Sequence, residues 1–147
     1  THVGFDVIFN SYDRSRLLAS AYGFSSTAYW YSDKKNEAEA FINKAIDVSK
    51  KSPLFYVFKI KKAIMMIDQG LVKDGLDQLS ELANDPKNPQ ADTAAFYLGY
   101  YYWSQEDKEN AKKAWLLLEK YDEKSGSLKQ GVSPWVLVAR EKMNLIS

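Results

Sequence analysis

The chain has 147 residues, of which 46% are hydrophobic, enough for one domain with a continuous core. Lys and Arg number 20 against 19 Asp and Glu, and the net charge of +1 excludes a function based on overall electrostatic attraction to nucleic acid or an anionic membrane. There is no cysteine, which excludes disulfides, thiolate nucleophiles and cysteine-ligated metals.

Helical periodicity runs through most of the chain, interrupted by proline and glycine. In residues 38–46, for example, apolar residues recur with the spacing of an amphipathic helix, and no stretch alternates like a β-strand. Ser52, Asn88 and Ser133 each precede a proline, as helix N-caps often do. The pattern predicts seven helices, over residues 12–31, 34–50, 53–69, 72–84, 89–105, 107–123 and 134–146. The predicted fold class is all-α.

The residues outside the predicted helices are of two kinds. Residues 1–11 are apolar at several positions and either dock on the fold or belong to a linker remnant. Residues 124–133, rich in Ser, Gly and Lys, are expected to form the loosest connection. We therefore expect a single helical domain over 12–147, preceded by a short N-terminal extension.

A spaced set of small and aromatic residues lies in the last third of the chain. Leu98 and Gly99 are followed by Tyr102, by the small residue Ala111 and by Trp115. This spacing resembles the signature of the tetratricopeptide repeat (TPR) family. The small side chains at 99 and 111 are expected where the two helices of a hairpin approach most closely.

The same spacing recurs earlier in the chain. A shift of 36 residues moves Gly99 to Ala63 and Ala111 to Gly75, and a further shift of 37 residues moves Gly75 to Ala38. The repeats and the final helix then span about 19–52, 53–88, 89–125 and 134–146. The resemblance implies a TPR-like right-handed superhelix of about three antiparallel helix hairpins, closed by a C-terminal capping helix.

In a TPR domain the first helix of each hairpin lines a concave face. The resemblance implies a partner-binding groove lined by Trp30, Tyr31, Ile60, Ile64, Ile67, Phe96, Tyr100 and Trp103. This groove would be apolar and aromatic, which suits a partner helix or a hydrophobic peptide. The alternative is that the N-terminal residues or the capping helix fill the groove in cis.

Lysine is concentrated in one part of the chain. Six lysines and one aspartate lie between Lys44 and Lys62. The candidate basic patch consists of Lys50, Lys51, Lys59, Lys61 and Lys62. It is either a solvated surface or a site for an acidic partner. We expect no nucleic-acid partner, and no direct membrane insertion, because no apolar run approaches the roughly 18 residues of a membrane span.

The residue sets that catalysis and metal binding require are incomplete. His2 is the only histidine, so neither a Ser-His-Asp triad nor a multi-histidine metal site can be assembled. Neighbouring carboxylates are spaced by one or two residues, which points them in different directions on a helix. No phosphate-binding glycine loop or calcium loop is present. We predict no catalytic residues, no metal site and no cofactor.

The leading hypothesis is a non-enzymatic protein-interaction module, acting as a scaffold or a chaperone-like factor. The alternative is a homo-oligomerising structural subunit of an envelope assembly. The Lys-rich, Cys-free chain resembles the soluble domains of bacterial cell-envelope TPR proteins, including accessory factors of the secretion translocon. That resemblance implies a periplasmic or envelope location, with the cytoplasm as the alternative. Because the chain starts at Thr1, we expect it to be a processed or excised piece.

Overall fold

The computed structural model describes residues 12–121 and 133–146, and all regular structure within them is helical. The elements are α1 (Tyr12–Tyr31), α2 (Lys35–Val48), α3 (Leu54–Asp68), α4 (Val72–Asn84), α5 (Ala91–Ser104), α6 (Lys108–Leu116), a 3-10 helix (Leu117–Tyr121) and α7 (Pro134–Ile146). The predicted all-α class is confirmed. The predicted N-terminal extension and most of the predicted connection 124–133 lie outside the described residues.

Ser52 and Asn88 both bond to the backbone near the start of a helix. The Ser52 hydroxyl accepts a hydrogen bond from the Leu54 N–H at 3.2 Å, as the N-cap of a helix beginning at Pro53 would, although α3 itself begins at Leu54. Asn88 accepts from the Gln90 N–H at 2.8 Å and donates its amide to the Leu82 carbonyl at 2.9 Å. Asn88 thus holds the turn between two helices, and α5 begins after that turn rather than at 89.

Contacts divide the chain into two compact units, one ending at Met65 and the other beginning at Met66. In the first unit α1 packs along α2. Its core consists of Ala19, Ala38, Ile42, Ala45, Phe58 and Met65. Gly23 on α1 is required here, because a Cβ atom at this position would lie 2.6 Å from Cε1 of Phe58. The small residues of α1 and α2 therefore allow close helix packing.

In the second unit α5 packs against both α4 and α6, and α7 packs against α5, α6 and the 3-10 helix. The α5 helix is buried at seven positions, Ala91, Asp92, Ala94, Ala95, Phe96, Leu98 and Gly99. Trp115 of α6 is fully buried. This central place explains why α5 carries apolar residues on more than one side.

The turns that follow α1, α3 and α5 have the same backbone geometry. Each contains a residue with positive φ, namely Asp33 (59°), Gly70 (92°) and Glu106 (60°). In each, the following N–H bonds at 2.9 Å to the carbonyl five residues earlier, from Lys34 to Tyr29, from Leu71 to Met66 and from Asp107 to Tyr102. This is the Schellman motif of helix C-termini. The motif recurs from residue 33 to residue 70 and from residue 70 to residue 106. These intervals of 37 and 36 residues match the periods of the sequence repeat.

Burial follows the same period. The positions that the 36-residue shift relates are Ala63 and Gly99, Gly75 and Ala111, Leu79 and Trp115, and Leu82 and Leu118. All eight are buried. The repeat in the sequence therefore corresponds to a repeat in local backbone geometry and in burial.

The repeated turn yields a prediction for its residue with positive φ. Glu106 adopts a left-handed conformation that is unfavourable for a residue with a Cβ atom, whereas Gly70 occupies the equivalent position without that cost. We expect Glu106→Gly to raise the free energy of unfolding by about 1 kcal/mol, and Gly70→Ala to lower it by about 1 kcal/mol. Urea denaturation of the two variants tests this, and changes of the same sign would contradict the shared geometry.

Candidate partner-binding face

Four aromatic residues of α5 form a continuous surface, which we call the aromatic face. They are Phe96, Tyr97, Tyr100 and Trp103. The ring centroid of Phe96 lies 5.9 Å from that of Tyr97 and 6.1 Å from that of Tyr100. Phe96 is buried, Tyr97 and Trp103 are half-buried, and Tyr100 is 47% exposed. The face therefore runs from the core to the surface of the second unit.

Trp115 packs against the buried side of the aromatic face. Its ring centroid lies 6.1 Å from Phe96 and 5.9 Å from Trp103, and its indole N–H donates to the Phe96 carbonyl at 3.1 Å. The ring fits only because residue 99 is glycine, since a Cβ there would lie 2.2 Å from Nε1 of Trp115. Gly99, which was predicted to lie where two helices approach closely, therefore also allows Trp115 to pack against the aromatic face.

The C-terminal helix α7 lies on the same face. The Trp135 ring stacks on Phe96 at 4.4 Å and lies 5.9 Å from Tyr97, while its indole N–H donates to the Thr93 hydroxyl at 3.0 Å. One aromatic anchor of α7 therefore covers the buried end of the aromatic face and satisfies its own polar atom.

At the exposed end of the face, α7 contributes a cation. The ammonium group of Lys142 lies 5.8 Å from the ring centroid of Tyr100 and 5.3 Å from that of Trp103. These distances are within the range of cation–π attraction. Tyr100 nevertheless keeps nearly half of its surface exposed, so this end of the face stays accessible.

Two polar contacts fix α7 in place. The Ser133 hydroxyl donates to the buried carboxylate of Asp92 at 2.7 Å. Arg140 forms a two-pronged ion pair with Glu119 of the 3-10 helix, at 2.8 and 3.2 Å. Because Ser133 precedes α7 and Arg140 follows Trp135 by five residues, the contacts hold the helix on both sides of its aromatic anchor.

The residues of the predicted groove differ in accessibility. Trp30 packs on the core of the first unit, with the Lys35 ammonium 3.5 Å from its ring centroid, whereas Tyr31 is 85% exposed on another side of α1. Ile60 and Phe96 are buried, and Ile64, Ile67 and Trp103 are half-buried. Burial removes Ile60 and Phe96 from the accessible part of the predicted groove. The partner-binding role of the eight residues stays a prediction.

The lysines of the candidate basic patch have different environments. Lys50 and Lys51 are exposed, and Lys50 lies 3.7 Å from Asp47. The Lys59 ammonium lies 5.1 Å from the centroid of the Phe55 ring, and Lys62 is half-buried. The lysine side chains thus include both solvated and packed examples.

Lys61 is a packed lysine that points toward α1. Its ammonium donates to the Gly23 carbonyl at 3.2 Å and to the Thr27 hydroxyl. Partial burial removes water from the charged form and lowers the pKa of Lys61 below its ordinary value of 10.5. Lys61 therefore connects α3 to α1 within the first unit.

Sequence reasoning missed one surface, on the outer side of α1. Leu17, Phe24 and Tyr31 are exposed there, with exposed Ala21 and Ala28 between them. The signal was available as an apolar residue at every third or fourth position. It was obscured because the opposite side of α1 is also apolar and forms the core of the first unit.

No protein-family model matches the chain, and comparisons with curated proteins and with solved structures give no significant match. Among residues 12–121 and 133–146, no helix is long and apolar enough to span a membrane. The same part of the chain contains no cluster of three or more His, Asp or Glu side chains placed to hold a metal ion.

Proposed function

We propose that this chain is a non-enzymatic, TPR-like protein-interaction module that holds an amphipathic helix of a partner protein against the aromatic face of α5. The repeated Schellman turns and the buried positions that recur after 36 residues support the TPR-like arrangement. The same features support a scaffold or chaperone-like role, because hairpin repeats offer extended surfaces to other proteins.

The observation that carries the proposal is the seating of α7. An amphipathic helix lies on the aromatic face, with Trp135 stacked on Phe96 and Lys142 near Tyr100. Helix-in-groove recognition uses the same elements, an aromatic anchor in an apolar site with polar contacts around it. The exposed part of Tyr100 is then where a partner helix makes its first contact, before it replaces α7 on the aromatic face.

Site-directed photo-crosslinking tests the proposed surface. A photoreactive phenylalanine analogue at Tyr100 is expected to form an adduct with a specific protein in the source cells, and Tyr100→Ala is expected to weaken binding of that protein about tenfold or more. Trp103 is left intact because its ring contacts Trp115. The matched control is the analogue at Leu116, which is 52% exposed on α6. Equal adduct yields at Tyr100 and Leu116 would contradict the proposal that the aromatic face of α5 binds the partner.

A second candidate function is that of a homo-oligomerising structural subunit. The observation that favours it is the exposed apolar side of α1, which differs from the aromatic face of α5 in both position and composition.

In either case we propose a periplasmic or cell-envelope location, with the cytoplasm as the alternative. Fractionation of source cells with an antibody against this chain distinguishes the two compartments.

A further inference from the structure

The outer side of α1 carries a regular apolar row, which we call the α1 stripe. It consists of Leu17, Ala21, Phe24, Ala28 and Tyr31, spaced alternately by four and three residues. All five are exposed, Leu17 to 57%, Phe24 to 76% and Tyr31 to 85%. At 1.5 Å per residue the row is about 21 Å long. This spacing is that of a helix that packs along another helix.

The α1 stripe is not needed for packing within its own unit. The opposite side of α1 already supplies buried Ala19 and Ser26, and half-buried Tyr22 and Tyr29 pack against the same core. From Leu17 to Ser32 the helix carries no charged residue. A helix side that only faced water would be expected to carry charges, so the composition indicates an occupant.

The pattern of the stripe is complementary to itself. Large side chains stand at 17, 24 and 31, with alanine between them at 21 and 28. If two copies of α1 run antiparallel, Leu17 can lie opposite Ala28 of the second copy, and Phe24 opposite Ala21 of the second copy. Each large side chain then fills the space beside a small one, as interdigitated helix packing requires. A parallel pair in register would place Phe24 against Phe24 and leave the alanine layers thinly packed.

The helix dipoles favour the same orientation. Arg14 and Arg16 are exposed near the start of α1, and the charged residues just after its end are Asp33, Lys34 and Lys35. An antiparallel pair opposes the two helix dipoles and places the arginines of one copy near the negative, C-terminal end of the other helix. In the register above, Arg14 of one copy lies opposite the ring of Tyr31 of the other, a cation–π arrangement. A parallel pair would align the two dipoles and bring the arginines of both copies together.

We propose that the α1 stripe binds the α1 stripe of a second copy of this chain, giving an antiparallel, two-fold symmetric dimer. This inference rests on the self-assembly candidate and not on the aromatic face of α5. The contact is isologous, so the same residues serve both copies. A single helix pair buries less area than standard protein interfaces, which predicts a reversible dimer that forms at micromolar concentrations.

Sedimentation equilibrium of the full chain between about 1 and 300 µM tests the association, a range chosen to bracket a weak dimer. We expect a monomer–dimer equilibrium that Phe24→Glu weakens at least about tenfold, because a buried carboxylate would lie at the centre of the contact. The matched control is Leu116→Glu on α6, which should dimerise like the wild type. Circular dichroism confirms that both variants are helical.

Cysteine crosslinking tests the orientation, since the chain has no cysteine of its own. Mixing the single variants Leu17→Cys and Ala28→Cys under oxidising conditions should give a mixed disulfide dimer. Tyr31→Cys alone should not crosslink, because in the antiparallel pair the two copies of residue 31 are about 25 Å apart. Efficient crosslinking of Tyr31→Cys would show a parallel pair and overturn the proposal.

Two further outcomes would also overturn the proposal. One is a wild-type chain that stays monomeric over the whole concentration range, and the other is a dimer that Phe24→Glu leaves unchanged. If the wild type is monomeric and a variant without residues 1–11 dimerises, the chain's own start occupies the stripe in place of a second copy. Photo-crosslinking at Tyr100 is independent of all these results, so failure of the dimer and failure of the α5 site are distinguishable.

Discussion

Gly99→Ala is expected to lower the free energy of unfolding of the second unit by about 3 kcal/mol. The new Cβ would lie 2.2 Å from Nε1 and 2.3 Å from Cδ1 of the Trp115 ring, which is fully buried and cannot move into open space. Displacing the ring also strains its hydrogen bond to the Phe96 carbonyl and shifts the aromatic face. Urea denaturation followed by circular dichroism measures the loss.

The repeat suggests a variant that should relieve this clash. The 36-residue shift relates Gly99 to Ala63 and Trp115 to Leu79, so an alanine with a leucine already occurs at these positions in the preceding repeat. Trp115→Leu alone should cost about 3 kcal/mol through the cavity that it leaves. The double variant Gly99→Ala with Trp115→Leu should cost clearly less than the sum of about 6 kcal/mol, because the smaller side chain makes room for the methyl group. Additive losses would contradict the proposed contact.

Trp135→Ala is expected to release α7 from the aromatic face. The substitution removes the stacking on Phe96 at 4.4 Å and the hydrogen bond to Thr93, which together should cost about 2–3 kcal/mol. Hydrogen exchange should then accelerate in residues 134–146, while α4 and α6 keep most of their protection.

Leu137→Ala is the matched control for this substitution. Leu137 lies on the same helix, two residues from Trp135, and is mostly exposed. Its loss should change the free energy of unfolding by no more than about 0.5 kcal/mol. If the two substitutions had equal effects on exchange in α7, the anchoring role assigned to Trp135 would be wrong.

The sequence predicted three helices with the bounds that the structure shows. The predicted ranges 12–31, 72–84 and 134–146 are those of α1, α4 and α7. The predicted helix 107–123 was less accurate, since α6 ends at Leu116 and continues as a 3-10 helix. A change from α to 3-10 geometry leaves the apolar spacing nearly intact, so periodicity does not reveal it.

The direction of individual side chains was harder to predict. A helical pattern is oriented by the contrast between an apolar and a polar side, and α5 is aromatic at 100, 101, 102 and 103. The same problem affects α1, where Trp30 and Tyr31 were placed in one groove although successive residues on a helix point about 100° apart. Trp30 contacts the core and Tyr31 belongs to the α1 stripe.

The repeated turn shows a further limit of sequence reasoning. Glycine adopts positive φ without cost, so Gly70 is recognisable in the sequence as a turn residue. Asp33 and Glu106 occupy the same conformation, and neither aspartate, which is only enriched there, nor glutamate identifies a left-handed residue from the sequence alone. The equivalence of the three turns becomes visible only from the hydrogen bonds that close them.

The central claim is that the aromatic face of α5 receives an amphipathic helix, and a peptide of residues 133–146 tests it most directly. The labelled peptide is titrated into the full chain carrying Trp135→Ala, with fluorescence anisotropy as the readout. We predict saturable binding to that variant, weak binding to the wild type, whose own α7 covers the face, and no binding of a peptide that itself carries Trp135→Ala. Equal binding of the two peptides, or no binding of either, would contradict the claim.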